Sequence, residues 1–175
     1  MKIKLKKLTL STSALLVIAS GASATDVRAQ IIGAGANPGS VISGTYRQLG
    51  ADNRVMTCQS GFNGSTAQGL YMGIAATIDY RWYRGIDSIS IETRSRVSRA
   101  LPVEVWMYHW EWRSWQRVGL GPHTVGTVMQ TWWTGVWHAN PYVNWSGVIH
   151  LQYRVQSRLA FTMDTDYVKV MVRPL

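Results

Sequence analysis

Apolar and polar residues alternate with period two in three segments of the second half of the chain. The apolar positions are Ile89 and Ile91, then Ile149, Leu151, Tyr153 and Val155, and finally Val168, Val170 and Val172. Alternation of this kind is typical of antiparallel strands that bury one face. We therefore expect Ile149, Leu151, Val168 and Val170 to point into a core shared by two sheets.

A fourth segment, Leu101 to Trp115, has the sequence LPVEVWMYHWEWRSW and holds four of the nine tryptophans. Here the valines and Met107 alternate with Glu104, Trp106 and Tyr108, so large side chains lie on both faces of the predicted strand. Such a strand is either buried on both sides or carries an aromatic surface on one side. Both alternatives remain open at this level, and we place Trp110 and Trp115 with the core.

The remaining signals also favour β structure. Arg54 to Gln59 is a strand candidate, Gly61 to Ser65 has the composition of a turn, and Leu70 to Tyr83 is apolar and aromatic. We find no convincing amphipathic helix after the N-terminal segment. Several short strands at roughly ten-residue spacing predict an all-β fold, an antiparallel β-sandwich of the jelly-roll kind.

The N-terminus has the pattern of an export signal. Four lysines precede the fairly apolar run Leu8 to Ile18, and Ala22-Ser23-Ala24 fits a small-residue cleavage site. We predict a signal peptide over residues 1–24, a flexible leader rich in glycine and alanine over 25–39, and one β-sandwich domain over 40–175. The expected location is secreted or extracytoplasmic, with the periplasm or the cell surface as options, and no later segment is predicted to span a membrane.

Charge and cysteine content narrow the class of protein further. Without the four signal lysines, 14 basic residues remain against 9 acidic ones, which gives a net charge of +5. This charge is modest and forms no basic run, so nucleic acid is not predicted as a partner, whereas attraction to an acidic polymer stays open. The lone Cys58 cannot form an internal disulfide and is expected to pack as a small apolar residue.

Three motifs resemble those of a bacterial secreted β-sandwich module. They are the hairpin from Tyr108 to Trp115, the glycine followed by an alternating strand at Gly147 to Val155, and the closing segment Phe161 to Val170 with its Asp-Tyr-Val. The resemblance covers about Ser40 to Pro174 and points to the galactose-binding-like jelly rolls, which include many carbohydrate-binding modules. It implies a β-sandwich that binds a carbohydrate, but it carries over no ligand residue, because ligand sites in these folds lie on variable loops or on one sheet face.

Tryptophan is a natural residue for stacking on sugars, since its flat ring covers the C–H groups of a pyranose. A second aromatic cluster lies between Thr131 and Tyr142, and Trp112 falls in the predicted hairpin turn. The candidate ligand-binding residues are therefore Trp112, Trp132, Trp133, Trp137 and Tyr142. Adjacent residues of a strand point to opposite faces, so at most one of Trp132 and Trp133 can face the core.

Catalysis and metal binding have little support in the sequence. The nine carboxylates are spread thinly, and no His-Glu-x-x-His, Cys-x-x-Cys or Gly-x-Ser-x-Gly motif occurs. Asp164 and Asp166 could suit a cation, although a role for Asp166 in fixing the loop before the last strand is the stronger interpretation. We predict no catalytic residue, no metal ligand and no cofactor. The predicted function is non-catalytic binding of a polysaccharide or an envelope polymer; the alternative is a structural or assembly protein that self-associates through the same aromatic surface.

Overall fold

The computed structural model describes residues 25–50, 54–64, 67–79, 85–121 and 128–175. In this part of the chain, twelve strands form two six-stranded antiparallel sheets. The predicted signal peptide lies outside the described residues. The described residues contain no helix long and apolar enough to cross a membrane.

The first sheet, sheet A, has the strand order β10-β7-β12-β4-β3, and β1 also pairs with β12. Its strands are β1 (Val27–Arg28), β3 (Ser40–Ser43), β4 (Met56–Gln59), β7 (Ile86–Val97), β10 (Gln130–Trp137) and β12 (Thr162–Pro174). The second sheet, sheet B, has the order β2-β6-β11-β8-β9, and β5 also pairs with β6. Its strands are β2 (Gln30–Ala36), β5 (Gly61–Asn63), β6 (Ala67–Thr77), β8 (Glu104–His109), β9 (Ser114–Leu120) and β11 (Val148–Ser157). Short 3-10 helices occur at Tyr46–Gly50 and Asn140–Tyr142.

The core lies between the two sheets, as the alternation predicted. Ile149 and Leu151 of sheet B and Val168 and Val170 of sheet A are all buried, so their predicted direction is confirmed. Each alternates with a partly exposed neighbour on the outer face, as expected where one face of a sheet is covered. The molecule is thus an antiparallel β-sandwich of the jelly-roll kind, in agreement with the sequence.

The segment predicted to be a flexible leader is instead part of both sheets. Val27 pairs with Val172 of β12, and Gln30–Ala36 pairs with β6 across a register shift at Ile32. Between the two strands, Ala29 is buried and its N–H donates to the carbonyl of Val170 at 2.8 Å. The composition of this segment suggested flexibility, but small residues can complete a sheet when the backbone groups of a neighbouring strand are available to pair with them.

The structure also shows the surroundings of Cys58 and of the two acidic residues Asp164 and Asp166. Cys58 is buried in the core beside Met56 and Met163, as predicted for a small apolar side chain. Asp164 forms an ion pair with Arg96 at 2.7 Å, and Asp166 forms one with Arg94 at 3.3 Å. Both acids lie within β12, where the register shifts between Thr165 and Tyr167, so Asp166 lies at a bulge within the strand and not in a loop before it.

Candidate ligand-binding site

Trp133 and Trp137 lie on the outer face of sheet A, at its edge. They are four residues apart on β10, roughly 13 Å along the strand, and their exposed fractions are 60% and 69%. Gly135 lies between them. Glycine is required at this position, because a Cβ atom would come within 2.6 Å of the carbonyl oxygen of Ile89. The expectation that these two rings are exposed is confirmed.

Trp132 was one of the candidate ligand-binding residues, but it lies in the core. Only 7% of it is exposed, its indole N–H donates to the Ser95 hydroxyl at 3.0 Å, and its ring meets Tyr153 edge-on at 5.5 Å. Trp132 therefore packs inside the sandwich and cannot contact a ligand on the surface. The prediction that only one of Trp132 and Trp133 faces the core is confirmed, with Trp133 as the exposed member.

Trp112 and Tyr142 meet at one end of the sandwich, around His109. Trp112 is 67% exposed, but one face of its ring stacks on the buried His109 imidazole at 3.9 Å. The Trp112 N–H also donates to Nδ1 of His109 at 3.2 Å, and the Tyr142 ring lies edge-on to His109 at 5.1 Å. Tyr142 is half-buried, and burial raises the pKa of its hydroxyl. The five predicted residues thus occupy three separate places and form no single site.

The outer face of sheet B is divided into a half of small residues and a half of large ones. Gly33 and Gly35 of β2 lie opposite Ala75 and Gly73 of β6, so four neighbouring positions carry at most a methyl group. A Cβ atom built on any of the three glycines would meet nothing within 4 Å. Neither crowding nor a left-handed backbone therefore requires glycine at these positions. Glycines inside strands often mark sites where a ligand or another backbone approaches closely.

The large residues lie on β8 and β9, on the other side of β11 from the small residues. Trp106 and Tyr108 of β8 point outward, and Tyr108 meets Trp110 and Trp115 edge-on at 4.9 and 5.4 Å. Trp110 and Trp115 are half-buried and do not belong to the core cluster, so their predicted core position is wrong. These rings rise beside the small residues as an aromatic wall.

Two adjoining cavities of about 280 and 370 Å³ lie over the small residues, and both are lined by Gly35 and Gly73. We call them together the sheet B groove. Its described lining is as follows: Gly33, Ala34, Gly35, Ala36, Asn37, Tyr71, Gly73, Ile74, Ala75, Trp115, His150, Leu151 and Gln152. The groove therefore combines a flat, small-residue floor with an indole on one side and amide and hydroxyl groups at the other end.

The polar rim of the groove is built by residues of β6 and β11. The Arg154 guanidinium lies 4.0 Å from the Trp106 ring centroid and 5.1 Å from that of Tyr71. Its Nε donates to the side-chain oxygen of Gln152 at 2.6 Å. Burial lowers the pKa of Arg154, and Tyr71 and Glu104 oppose that effect by smaller amounts. Arg154 itself lines neither cavity, but it contacts Tyr71 and Gln152, which do.

Two further groups complete the lining. Burial lowers the pKa of His150, which favours the uncharged imidazole, and this ring lies 5.0 Å from the Trp110 ring. The Tyr71 hydroxyl accepts hydrogen bonds from the amides of Asn63 at 3.1 Å and Gln156 at 2.9 Å. These bonds orient the tyrosine, whose own O–H can still donate to a ligand.

A larger cavity, about 670 Å³, lies beside β1, β2 and the first 3-10 helix. Its described lining includes one aromatic ring, Tyr46, and the cations of Arg28 and Arg47. It has no tryptophan in that lining. We therefore take the sheet B groove as the candidate site, since size alone does not make a ligand site without suitable side chains.

The sequence contained part of the signal for this groove. Every second residue of the alternating stretch points to the same face of the strand. One face therefore had to carry Glu104, Trp106, Tyr108 and Trp110. Which face met solvent depended on the partner strands. Gly33 and Gly35 were missed because they fall in the segment interpreted as a leader. Within the described residues, no group of three or more histidine, cysteine or acidic side chains could hold a metal ion.

No protein-family model matches the chain, and the comparison with curated proteins gives no match. Solved structures that are similar to it include a family 4 carbohydrate-binding module, with 13% identity, a TM-score of 0.47 and 78% of each chain covered. A family 29 carbohydrate-binding module in complex with cellulohexaose has 14% identity and a TM-score of 0.40, over 83% of this chain and 92% of the other. The CBM22-1 xylan-binding domain of Xyn10C from Paenibacillus barcinonensis has 10% identity and a TM-score of 0.44, over 84% and 97%.

These solved structures are of the class that the sequence resembles. At such low identities and TM-scores, the likeness says nothing about a ligand of this chain. The β-sandwich itself follows from the strand order and pairing of the two sheets.

Proposed function

We propose that this protein is a non-catalytic carbohydrate-binding module whose ligand lies in the sheet B groove. The observation that carries the proposal is the open floor of Gly33, Gly35, Gly73 and Ala75 beside the ring of Trp115. A pyranose has an apolar face of C–H groups and a rim of hydroxyls. It needs a flat aromatic surface, room beside it, and hydrogen-bonding groups at the edges, and the groove offers all three.

The polar groups are suited to sugar hydroxyls. Asn37, Tyr71 and Gln152 line one cavity of the groove, and amides both donate and accept hydrogen bonds. The Trp106 face is covered by Arg154, so Trp115, which lines the other cavity, is the ring that we assign to stacking. The remaining candidate rings, Trp112, Trp133 and Trp137, lie outside the groove lining and are not needed by this proposal.

The charges around the groove support binding without hydrolysis. Glycoside hydrolysis ordinarily uses two opposed carboxyl groups at a defined separation. No carboxylate is among the described residues that line the groove. The carboxylate of Glu104, on the neighbouring strand, is occupied by the Arg117 guanidinium at 3.2 Å and the Trp106 indole N–H at 3.0 Å.

Affinity electrophoresis in gels that contain soluble polysaccharides tests the proposal. Trp115→Ala should reduce retardation at least tenfold, because it removes the stacking ring. Trp133→Ala is the matched control, since it removes an exposed indole from the opposite sheet and should leave retardation unchanged. Both variants need a far-UV spectrum and a melting curve that show the sandwich is intact. Equal binding by wild type and Trp115→Ala would contradict the proposed site.

A second candidate function, self-association, is favoured by one observation. Trp133 and Trp137 are exposed together on the outer face of sheet A, and exposed apolar patches often mark contacts between proteins. Sedimentation of the wild type and of the Trp133→Ala/Trp137→Ala variant separates this function from sugar binding. Assembly that disappears in the double variant, with no glycan binding by the wild type, would favour a structural protein.

We also propose export, which the N-terminal pattern of lysines, short apolar run and Ala22-Ser23-Ala24 supports. N-terminal sequencing of the secreted protein should find Thr25 as the first residue. Extracellular protein that retains Met1 would contradict this proposal and would leave the ligand site unaffected.

A further inference from the structure

Arg154 differs from other strand arginines in its partners. Arg94, Arg96, Arg117 and Arg173 each lie within 4.0 Å of a carboxylate oxygen. In the described part of the chain, Arg154 has no carboxylate within that distance, and its hydrogen bond goes to the neutral amide of Gln152. A half-buried guanidinium in this position keeps strong donors available.

Glu104, the acidic residue opposite Arg154 in the sheet, already forms hydrogen bonds with other side chains. Arg154 lies between Tyr71 of β6 and Glu104 of β8 in the cross-strand register. Glu104 accepts from Arg117 with one oxygen and from the Trp106 indole with the other. Arg154, Glu104 and Arg117 together carry one net positive charge, and the Arg154 guanidinium lies between the Trp106 ring and the ring of Tyr71, which lines the groove.

The orientation of Arg154 is also fixed. Its guanidinium stacks on Trp106, with Trp115 at 5.8 Å, and Gln152 holds the Nε atom. The Nη atoms then remain as the free edge of a planar fork. Such a fork matches the two oxygens of a carboxylate or sulfate, and charge-assisted bonds of this kind are stronger where water is partly excluded.

We propose that the ligand of the sheet B groove is an acidic glycan and that Arg154 binds its carboxylate or sulfate group. This inference rests on the proposed function, because it names the class of sugar that the groove selects. Gln152 and Trp106 act as positioning residues that hold the guanidinium, and the neutral floor of glycines places no negative charge against the ligand.

Two matched pairs of polymers test the inference. Polygalacturonate is compared with its carboxyl-reduced form, and dextran sulfate with dextran, by titration calorimetry on the full chain. Wild type should prefer the acidic member of at least one pair by about tenfold or more, and added salt should weaken that preference. The pair that shows the preference distinguishes carboxylate from sulfate recognition.

Arg154→Gln should remove the preference while keeping the affinity for the neutral member. Arg158→Gln is the control, since it removes the same charge from an exposed position just after β11 and should keep the preference. Neutral polymers bound as well as acidic ones, or a preference that survives in Arg154→Gln, would overturn the inference and leave the proposed function standing. If the wild type binds no member of either pair and no other glycan in an array, both fail together.

Discussion

The hydroxyls of Tyr153 and Thr93 lie 2.6 Å apart inside the core, where they join sheet B to sheet A. Both residues are fully buried. The Tyr153 ring also meets Trp132 of sheet A edge-on, and the Trp132 indole N–H donates to the Ser95 hydroxyl within sheet A. Burial raises the pKa of the Tyr153 hydroxyl far above its ordinary value, although the bond to Thr93 opposes this, so the tyrosine stays neutral.

Removing one partner of this bond should destabilise the fold more than removing both. Tyr153→Phe leaves the Thr93 hydroxyl buried without a partner, and we expect the free energy of unfolding to fall by about 1–3 kcal/mol. Adding Thr93→Val should recover a large part of that loss, because no buried polar group remains. Urea unfolding of the two single variants and the double variant measures this. Strictly additive losses would show that the bond contributes little.

Truncating the neighbouring tryptophans of β10 should lower the free energy of unfolding by very different amounts. Trp132→Ala opens a cavity in the core and should cost about 3–5 kcal/mol. Trp133→Ala removes an exposed ring from the same strand and should change stability by at most about 0.5 kcal/mol. Chemical denaturation of both variants under identical conditions makes the comparison. Similar losses for the two would mean that both rings pack in the fold.

Cys58 should make stability fall in mildly alkaline solution. Burial, and secondarily the charge of Asp164, raise the pKa of its thiol from 9.0 to about 11. Below pH 9 the thiol is protonated in both states and the contribution is fully present. Above pH 9 the unfolded thiol ionises while the folded one does not, so about 2–3 kcal/mol should be lost by pH 11.

The comparison with Cys58→Ala isolates that effect, because tyrosine and lysine titrations are common to both proteins. The difference in unfolding free energy between wild type and variant should shrink as the pH rises from 9 to 11. Native Cys58 should also resist iodoacetamide at pH 8 and react once urea unfolds the chain. A parallel pH dependence of the two proteins would show that the thiol does not contribute.

Filling the floor of the sheet B groove should abolish ligand binding without harming the fold. A side chain at Gly73 meets nothing within 4 Å at its Cβ, so Gly73→Leu adds bulk only to the groove. Stability should stay level or rise by about 0.5–1 kcal/mol, since glycine is unfavourable inside a strand. Thr131→Leu, at an exposed position on β10 of the other sheet, is the control and should bind as wild type does.

Retention on a polysaccharide gel together with a melting curve separates the outcomes of that experiment. Loss of binding with an unchanged melting temperature is the expected result. Full binding by Gly73→Leu would show that the ligand lies elsewhere, for example on the outer face of sheet A with Trp133 and Trp137.

The alternation of apolar and polar residues was enough to predict the strands and their inward faces. Ile149, Leu151, Val168 and Val170 could be placed in the core because their period of two leaves one buried face, whatever the order of the strands. The same rule showed that Trp132 and Trp133 must face opposite ways. These conclusions depend on local geometry, which the residues of one segment carry by themselves.

Which face of a two-sided strand meets solvent depends on what packs against it, and a single segment does not contain that information. Trp115 was placed in the core and Trp132 among the candidate ligand-binding residues. In the paired sheets, β10 turns Trp132 toward Tyr153 and β9 turns Trp115 toward the groove. Gly33 and Gly35 have the composition of a flexible leader. They became the floor of the candidate site only because β2 pairs with β6, a contact between segments roughly 40 residues apart along the chain.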